Sequence, residues 1–117
     1  MPDLTIQVRE RDGIAVLHPS GFINAHTVRK FESALEELVA RGRFTILINC
    51  VDLSYISSAG LGAIMGLIET VRENRGDILL CALQGNVSLI FETLGFLELY
   101  HVFPDEAQAL QSLAARP

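Results

Sequence analysis

Lysine is almost missing from this chain: Lys30 is the only one among 117 residues, beside eight arginines spread along the sequence. With a formal net charge of −5 and no basic cluster, the chain lacks the electrostatic footprint of a nucleic-acid binder. No direct nucleic-acid partner is therefore expected. Long apolar runs are also missing, since none approaches the ~18 residues that a membrane-spanning helix needs. The opening "MPDLTIQVRERDG" is charged and alternating, unlike a secretory signal, so a cytoplasmic address is the default expectation. Cysteine is scarce as well. Cys50 and Cys81 sit inside the apolar stretches "ILINC" and "ILLCAL" and read as buried thiols rather than as a disulfide or metal pair. No C-x-x-C and no histidine or cysteine pair at metal-ligand spacing occurs, so no metal is expected. Repeats, linkers and low-complexity segments are absent too, which leaves one domain over residues 1–117.

What is present is a well-filled α/β pattern. Half of the residues are hydrophobic and the mean hydropathy is +0.35, which suits a compact core and argues against disorder. "LTIQVRER" alternates apolar and polar residues as a half-exposed strand does. Asp12-Gly13 is a hairpin turn signal, and "IAVLHPSG" is the return strand. From Asn24, a good N-cap, the period changes: Val28, Phe31, Leu35, Leu38 and Val39 make one helical face that stops at Gly42. "FTILINCV" is then a buried central strand. A second helix runs from near Ser58 to about Asn74, with Leu61, Ile64, Met65, Ile68 and Val71 inward. "RGDILLCAL" gives another strand, and "NVSLIFETLG" a short helix with Val87, Ile90, Phe91 and Leu94 inward. "LELYHVF" gives a last strand, and "PDEAQALQSLAA" a last helix with proline in its first turn. The order ββαβαβαβα predicts an N-terminal hairpin followed by βα repeats. Right-handed crossovers then make a mostly parallel sheet of about 4–5 strands with about four helices.

The stretch "SYISSAGLG", residues 54–62, places two hydroxyls and then glycines directly after a strand. A nucleophile elbow requires glycine two residues before the serine, but Ile56 stands there for Ser58. Of His18, His26 and His101 only the last follows in hydrolase order, and no convincing acid lies between. A phosphate loop needs a lysine after its last glycine, and the dinucleotide fingerprint needs G-x-G-x-x-G where "GLGAIMG" has a longer spacing. Gly62 and Gly66 share a helix face, which fits close packing against a neighbour. No catalytic residue is assigned, and no enzyme activity is expected.

Two readings of the serines remain. Ser57 or Ser58 caps the second helix, its hydroxyl accepting from free backbone N–H groups. The same geometry also suits a regulated phosphoacceptor at Ser58, because a phosphate would meet the positive end of the helix dipole. That dipole contributes only ~0.3–1 kcal/mol at exposed sites, so modification need not alter the fold. The two readings are compatible. Asp52 and Ser54 fit a turn after the strand.

"INCVDLSYISSAGLGAIMG" resembles the signature of the STAS family, in particular the bacterial anti-sigma-factor antagonists. In that signature a hydrophobic strand precedes Asp-Leu-Ser-aromatic-hydrophobic, and Asp-Ser-Ser/Thr-Gly-Leu-Gly then opens a helix. "HPSGFINAHTVRKFESAL" is similar to the family's glycine-containing segment and first helix, and "NVSLIFETLGFLELYHVFPDEAQAL" to its closing region. The resemblance covers nearly the whole chain. It implies the STAS fold and a binding switch with two partners. One is an anti-sigma factor that is also a serine kinase; the other is a serine phosphatase.

By this resemblance Ser58 is the phosphoacceptor, with Ser57 the alternative. The partner surface includes Phe22, Asn24, Ser57, Ser58, Ala59, Gly60 and Gly62. No cofactor is implied, since ATP belongs to the kinase, and a monomer is expected for the free protein. The chain departs from the family pattern at Ser57 and Asn24, which stand where acidic residues are usual, and at Ala59, which replaces a Ser or Thr. A phosphate is less repelled there, while a kinase that reads those carboxylates loses contacts. The alternative function is that of an unphosphorylated STAS scaffold subunit in another signalling or lipid-transport complex. A third reading is an enzyme or small-molecule-binding domain on the same scaffold.

Overall fold

A computed structural model describes residues 3–115; the domain expected over 1–117 extends beyond the described residues at both ends. Its elements are β1 (Leu4–Arg11), β2 (Ile14–Ile23), α1 (Val28–Ala40), β3 (Thr45–Asn49), β4 (Leu53–Ile56) and α2 (Ser58–Glu73). Then follow β5 (Asp77–Cys81), α3 (Gly85–Thr93), a single 3-10 turn (Phe96–Glu98), β6 (His101–Phe103) and α4 (Glu106–Ala114). The strands form one sheet in the order β1-β2-β3-β5-β6, with β4 paired to the far end of β2. The β1–β2 pair is antiparallel and the other pairs are parallel.

The hairpin follows directly from its turn. Arg11 pairs with Ile14, leaving Asp12 and Gly13 as a two-residue loop with φ of 53° and 79°, the left-handed pair that matches strand twist. Ten residues in β2 allow it to serve two neighbours: Ala15–Leu17 pair with β3, and Gly21–Ile23 pair with β4.

Alternation then sorts the apolar residues onto two faces. Leu17, Ile46, Ile48, Ile78 and Leu80 enter the larger core under α1, α2 and α3, with Phe31, Leu35, Ile64 and Phe91. Val16, Leu47, Leu79 and Cys81 point to the other face and pack against Ala109 and Leu110 of α4. The central strands β3 and β5 are thus covered on both sides, which is why their sequences read as unbroken apolar runs. Cys50 belongs to the first core and Cys81 to the second, so the two thiols cannot pair. Burial pushes both thiols up, Cys81 to about 12, which keeps them protonated.

A polar clamp fixes α4. Glu106, at its first turn, accepts from Arg9 Nη2 at 2.8 Å, Arg11 Nη1 at 2.5 Å and Asn49 Nδ2 at 3.0 Å. Its side chain is only 10% exposed, and the Arg9 guanidinium above all holds its carboxyl down at about 2. One carboxylate therefore joins β1, β3 and α4.

Several sequence expectations need correction. The sheet has six strands rather than four or five, because Leu53–Ile56 pairs with β2 as the separate strand β4. Helix α1 proper starts only at Val28, one short turn after Asn24, and Thr27 before it makes no side-chain cap bond. Met65 is 44% exposed and Leu94 is exposed as well, so neither helps to fill the core. The run expected as the last strand opens in the 3-10 turn after left-handed Gly95, leaving only three residues for β6. Pro104 lies outside α4, whose N-cap is Asp105, with its side chain accepting from the Gln108 N–H at 2.8 Å.

Candidate functional site

At one end of the sheet the last residues of β2, the strand β4 and the start of α2 come together. Ile23 and Ile56 are register partners, and the Ser57 N–H donates to the Ile23 carbonyl at 2.8 Å. That bond brings the chain over the end of β2 just where α2 begins. Ser57 is then the N-cap: its backbone is extended, and its hydroxyl accepts from the Gly60 N–H at 3.3 Å. The Leu61 N–H reaches the Ser57 carbonyl at 3.1 Å. The open choice between the two serines as cap thus resolves to Ser57.

Ser58 is the first helical residue, and it is exposed. Among the described residues its hydroxyl makes no hydrogen bond. The first turn of a helix leaves N–H groups without intrahelical acceptors, and its dipole favours a negative group there. Ala59 is also exposed.

Gly60 has a different role. It is buried, and a Cβ at this position would lie 2.7 Å from both Ile23 Cγ2 and Ile56 Cγ1. Its missing side chain lets α2 sit directly on the β2–β4 ladder, so it positions Ser58 instead of presenting a surface. Gly62 and Gly66 behave in the opposite way. Both are exposed, with nothing within 4 Å of a Cβ, so the expected close packing does not occur. Instead they open a groove of about 200 Å³ between α1 and α2, bordered by Glu32 and Glu36.

Asn24 organises the neighbouring turn. Its Oδ1 accepts from the His26 N–H at 2.9 Å and the Thr27 N–H at 3.2 Å, an Asx turn. Thr27 closes it by donating its hydroxyl to the Phe22 carbonyl at 2.7 Å while accepting from the Asn24 N–H at 2.9 Å. The Val28 N–H also donates to the Asn24 carbonyl at 2.8 Å, so Asn24 caps a leading helical turn and α1 proper follows at Val28. Asp52 lies in the turn before β4, as expected: its carbonyl accepts from the Gly21 N–H at 3.0 Å, and its carboxylate meets His18 Nε2 at 2.7 Å. Ser54 lies beyond that turn, exposed on β4 itself.

Tyr55, marked in the sequence only as the aromatic of the family pattern, is a surface group. In register with Phe22, it holds its ring centroid 6.5 Å from the phenyl ring, and the two side chains are 38% and 36% exposed. One residue on from each, Ile23 and Ile56 turn inward, so alternation puts the aromatic pair on the opposite side of this ladder from Gly60. Tyr55 escaped notice because β4 itself is too short to announce its alternation.

A hydrolase arrangement does not assemble here. His101 sits on β6 at the other edge of the sheet, 3.8 Å from Asp77. Among the described residues no group of three or more His, Cys, Asp or Glu is placed to hold a metal. Nor is any helix of the described residues long and apolar enough to cross a membrane.

The geometry is that of a recognition module: a stiff α/β scaffold presenting a capped helix start, one open hydroxyl and a pair of exposed rings. The chain belongs to the STAS domain family, whose family model matches residues 5–109. Over 91 residues it is 31% identical to BtrV of Bordetella bronchiseptica, a candidate anti-sigma factor antagonist by name, covering 78% of each chain. Over 101 residues it is 26% identical to the anti-sigma-B factor antagonist of Listeria monocytogenes, covering 86% of this chain and 89% of that one. Among solved structures it is similar to the anti-sigma factor antagonist SpoIIAA in its unphosphorylated form, with a TM-score of 0.75, 21% identity, and coverage of 100% and 99%. The phosphorylated form of SpoIIAA matches with a TM-score of 0.72, 20% identity, and coverage of 93% and 99%. STAS anti-sigma factor antagonists are regulatory binding proteins, not enzymes.

Proposed function

We propose that this chain, as a single STAS domain, is an anti-sigma factor antagonist. It binds an anti-sigma factor that is also a serine kinase, and so frees a sigma factor. Phosphorylation of Ser58 by that kinase breaks the complex, and a serine phosphatase restores it. The protein works in the cytoplasm, as a monomer when free. Its partner surface takes in Phe22, Asn24, Ser57, Ser58, Ala59 and Gly62, with Gly60 acting from beneath.

The observation that carries this reading is the division of labour between the two serines. Ser57 is occupied as the cap of α2, while Ser58 stands exposed one residue on, at the positive end of the helix. A phosphate there adds nearly two negative charges without requiring the fold to change. Placed against an acidic or apolar partner surface, it needs to cost only ~3 kcal/mol to weaken binding more than a hundredfold. The existence of SpoIIAA in two phosphorylation states supports the same switch.

The test is intact mass after incubation with ATP and the anti-sigma factor kinase of the same genome, with Ser58→Ala as control. One phosphate on the wild type and none on Ser58→Ala is the expected result. A phosphate that persists on Ser58→Ala moves the acceptor to Ser57. No phosphate at all from a kinase active on another substrate favours the unphosphorylated scaffold reading. The chain's replacement of acidic residues by Asn24 and Ser57 gives that reading its footing.

A further inference from the structure

We infer that Tyr55, together with Phe22, is the anchor by which the anti-sigma factor recognises this chain; the inference rests on the reading above. Both rings are more than one-third exposed although they stand on paired strands, and they face each other across the β2–β4 ladder. Both rings stay exposed to that degree among the described residues. Helix α4 packs through Ala109 and Leu110 on Val16, Leu47, Leu79 and Cys81, and neither aromatic belongs to that cluster. Ile23 and Ile56, directly after the two aromatics, are the residues that seat Gly60 and receive Ser57. The rings and the phosphoacceptor are therefore held by one rigid ladder, and a partner spanning the rim meets both.

The aromatic pair is built for this. Each ring exposes roughly 60–90 Å² of a side chain that can bury 150–250 Å², and both are already restrained by mutual contact. A partner therefore covers them at little entropic cost. The patch alone is far below the ~1,200 Å² of a specific interface, so it serves only as part of a larger contact, which its continuity with the Ser58 rim supplies. As the apolar centre of a larger heterologous contact it fits the pattern of an interface hot spot. The Tyr55 hydroxyl is not what counts; the ring is.

The experiment is calorimetric titration of the same purified anti-sigma factor with wild type, Tyr55→Phe, Tyr55→Ser and Tyr55→Lys, alongside a thermal melt of each. Tyr55→Phe is expected to bind as the wild type does, while Tyr55→Ser and Tyr55→Lys bind ten- to a hundredfold more weakly. Tyr55→Lys keeps a long stem over Phe22, so it decides the matter if Tyr55→Ser melts early. Wild-type affinity in a folded Tyr55→Ser or Tyr55→Lys overturns this inference and leaves the proposed function standing. Binding that is absent already in the wild type removes the proposed function, and the anchor with it. A concentration-dependent dimer of the free wild type that Tyr55→Lys dissociates overturns the assignment in favour of a second copy.

Discussion

Replacing Glu106 by glutamine tests the clamp on α4 in a way that can be worked out beforehand. Burial would raise this carboxyl, yet Arg9, Asn49 and Arg11 together bring it from the ordinary 4.5 down to about 2. That difference corresponds to roughly 3 kcal/mol of folding free energy at neutral pH. The sign follows from the direction. A carboxyl depressed in the folded state contributes fully above the unfolded value of 4.5 and loses its contribution as pH falls through about 2. Glu106→Gln keeps the volume and one acceptor but removes the charge, so it should cost about 2–3 kcal/mol at pH 7. For a domain of this size that is a fall in Tm of about 8–15 °C. Urea unfolding at pH 7, 3 and 2 measures it. The gap between wild type and variant should shrink to about half by pH 3 and nearly close at pH 2. A gap that stays constant with pH would refute the electrostatic reasoning and leave a packing defect as the cause.

The start of α2 supplies three further tests. Gly60→Ala drives a methyl to 2.7 Å from Ile23 and Ile56 and should destabilise the fold by about 1–3 kcal/mol in chemical denaturation. Gly62→Ala meets nothing within 4 Å and should stabilise by about 0.5–1 kcal/mol through helix propensity; the same melt that lowers one variant should raise the other. Ser57→Ala removes the cap on the Gly60 N–H and should cost about 1 kcal/mol, whereas Ser58→Ala should stay within about 0.5 kcal/mol of wild type.

Much of this fold can be read from periodicity, because the larger elements bury faces that the sequence marks clearly. The Asp12-Gly13 hairpin, the doubly covered strands β3 and β5 and the helices α1 and α2 all follow from such marks. What escaped was set by tertiary context. Four residues of β4 are too few to show alternation, and they exist as a strand only because β2 is long enough to offer them an edge. Met65 lies at core spacing on α2 but stays largely exposed. Asn24 does make the bonds of a helix cap, but a turn over residues 25–27 separates it from α1 proper.

The candidate site was legible in part for the same reason. A serine followed by glycines at a helix start is visible in sequence, and so is the family pattern around it. Which serine caps and which stands open depends on the Ser57–Ile23 backbone bond, a contact across more than thirty residues. Tyr55 as a surface ring, and Gly60 and Gly62 as opposites, likewise need the third dimension.

In the proposed switch a single phosphate on Ser58 decides whether this chain holds its partner. The most direct measurement compares the affinity of the unmodified protein and of protein stoichiometrically phosphorylated at Ser58 for the same purified anti-sigma factor. A tight complex is expected for the first and binding more than a hundredfold weaker for the second, with both forms melting within a few degrees of each other. Equal affinity of the two forms would contradict it.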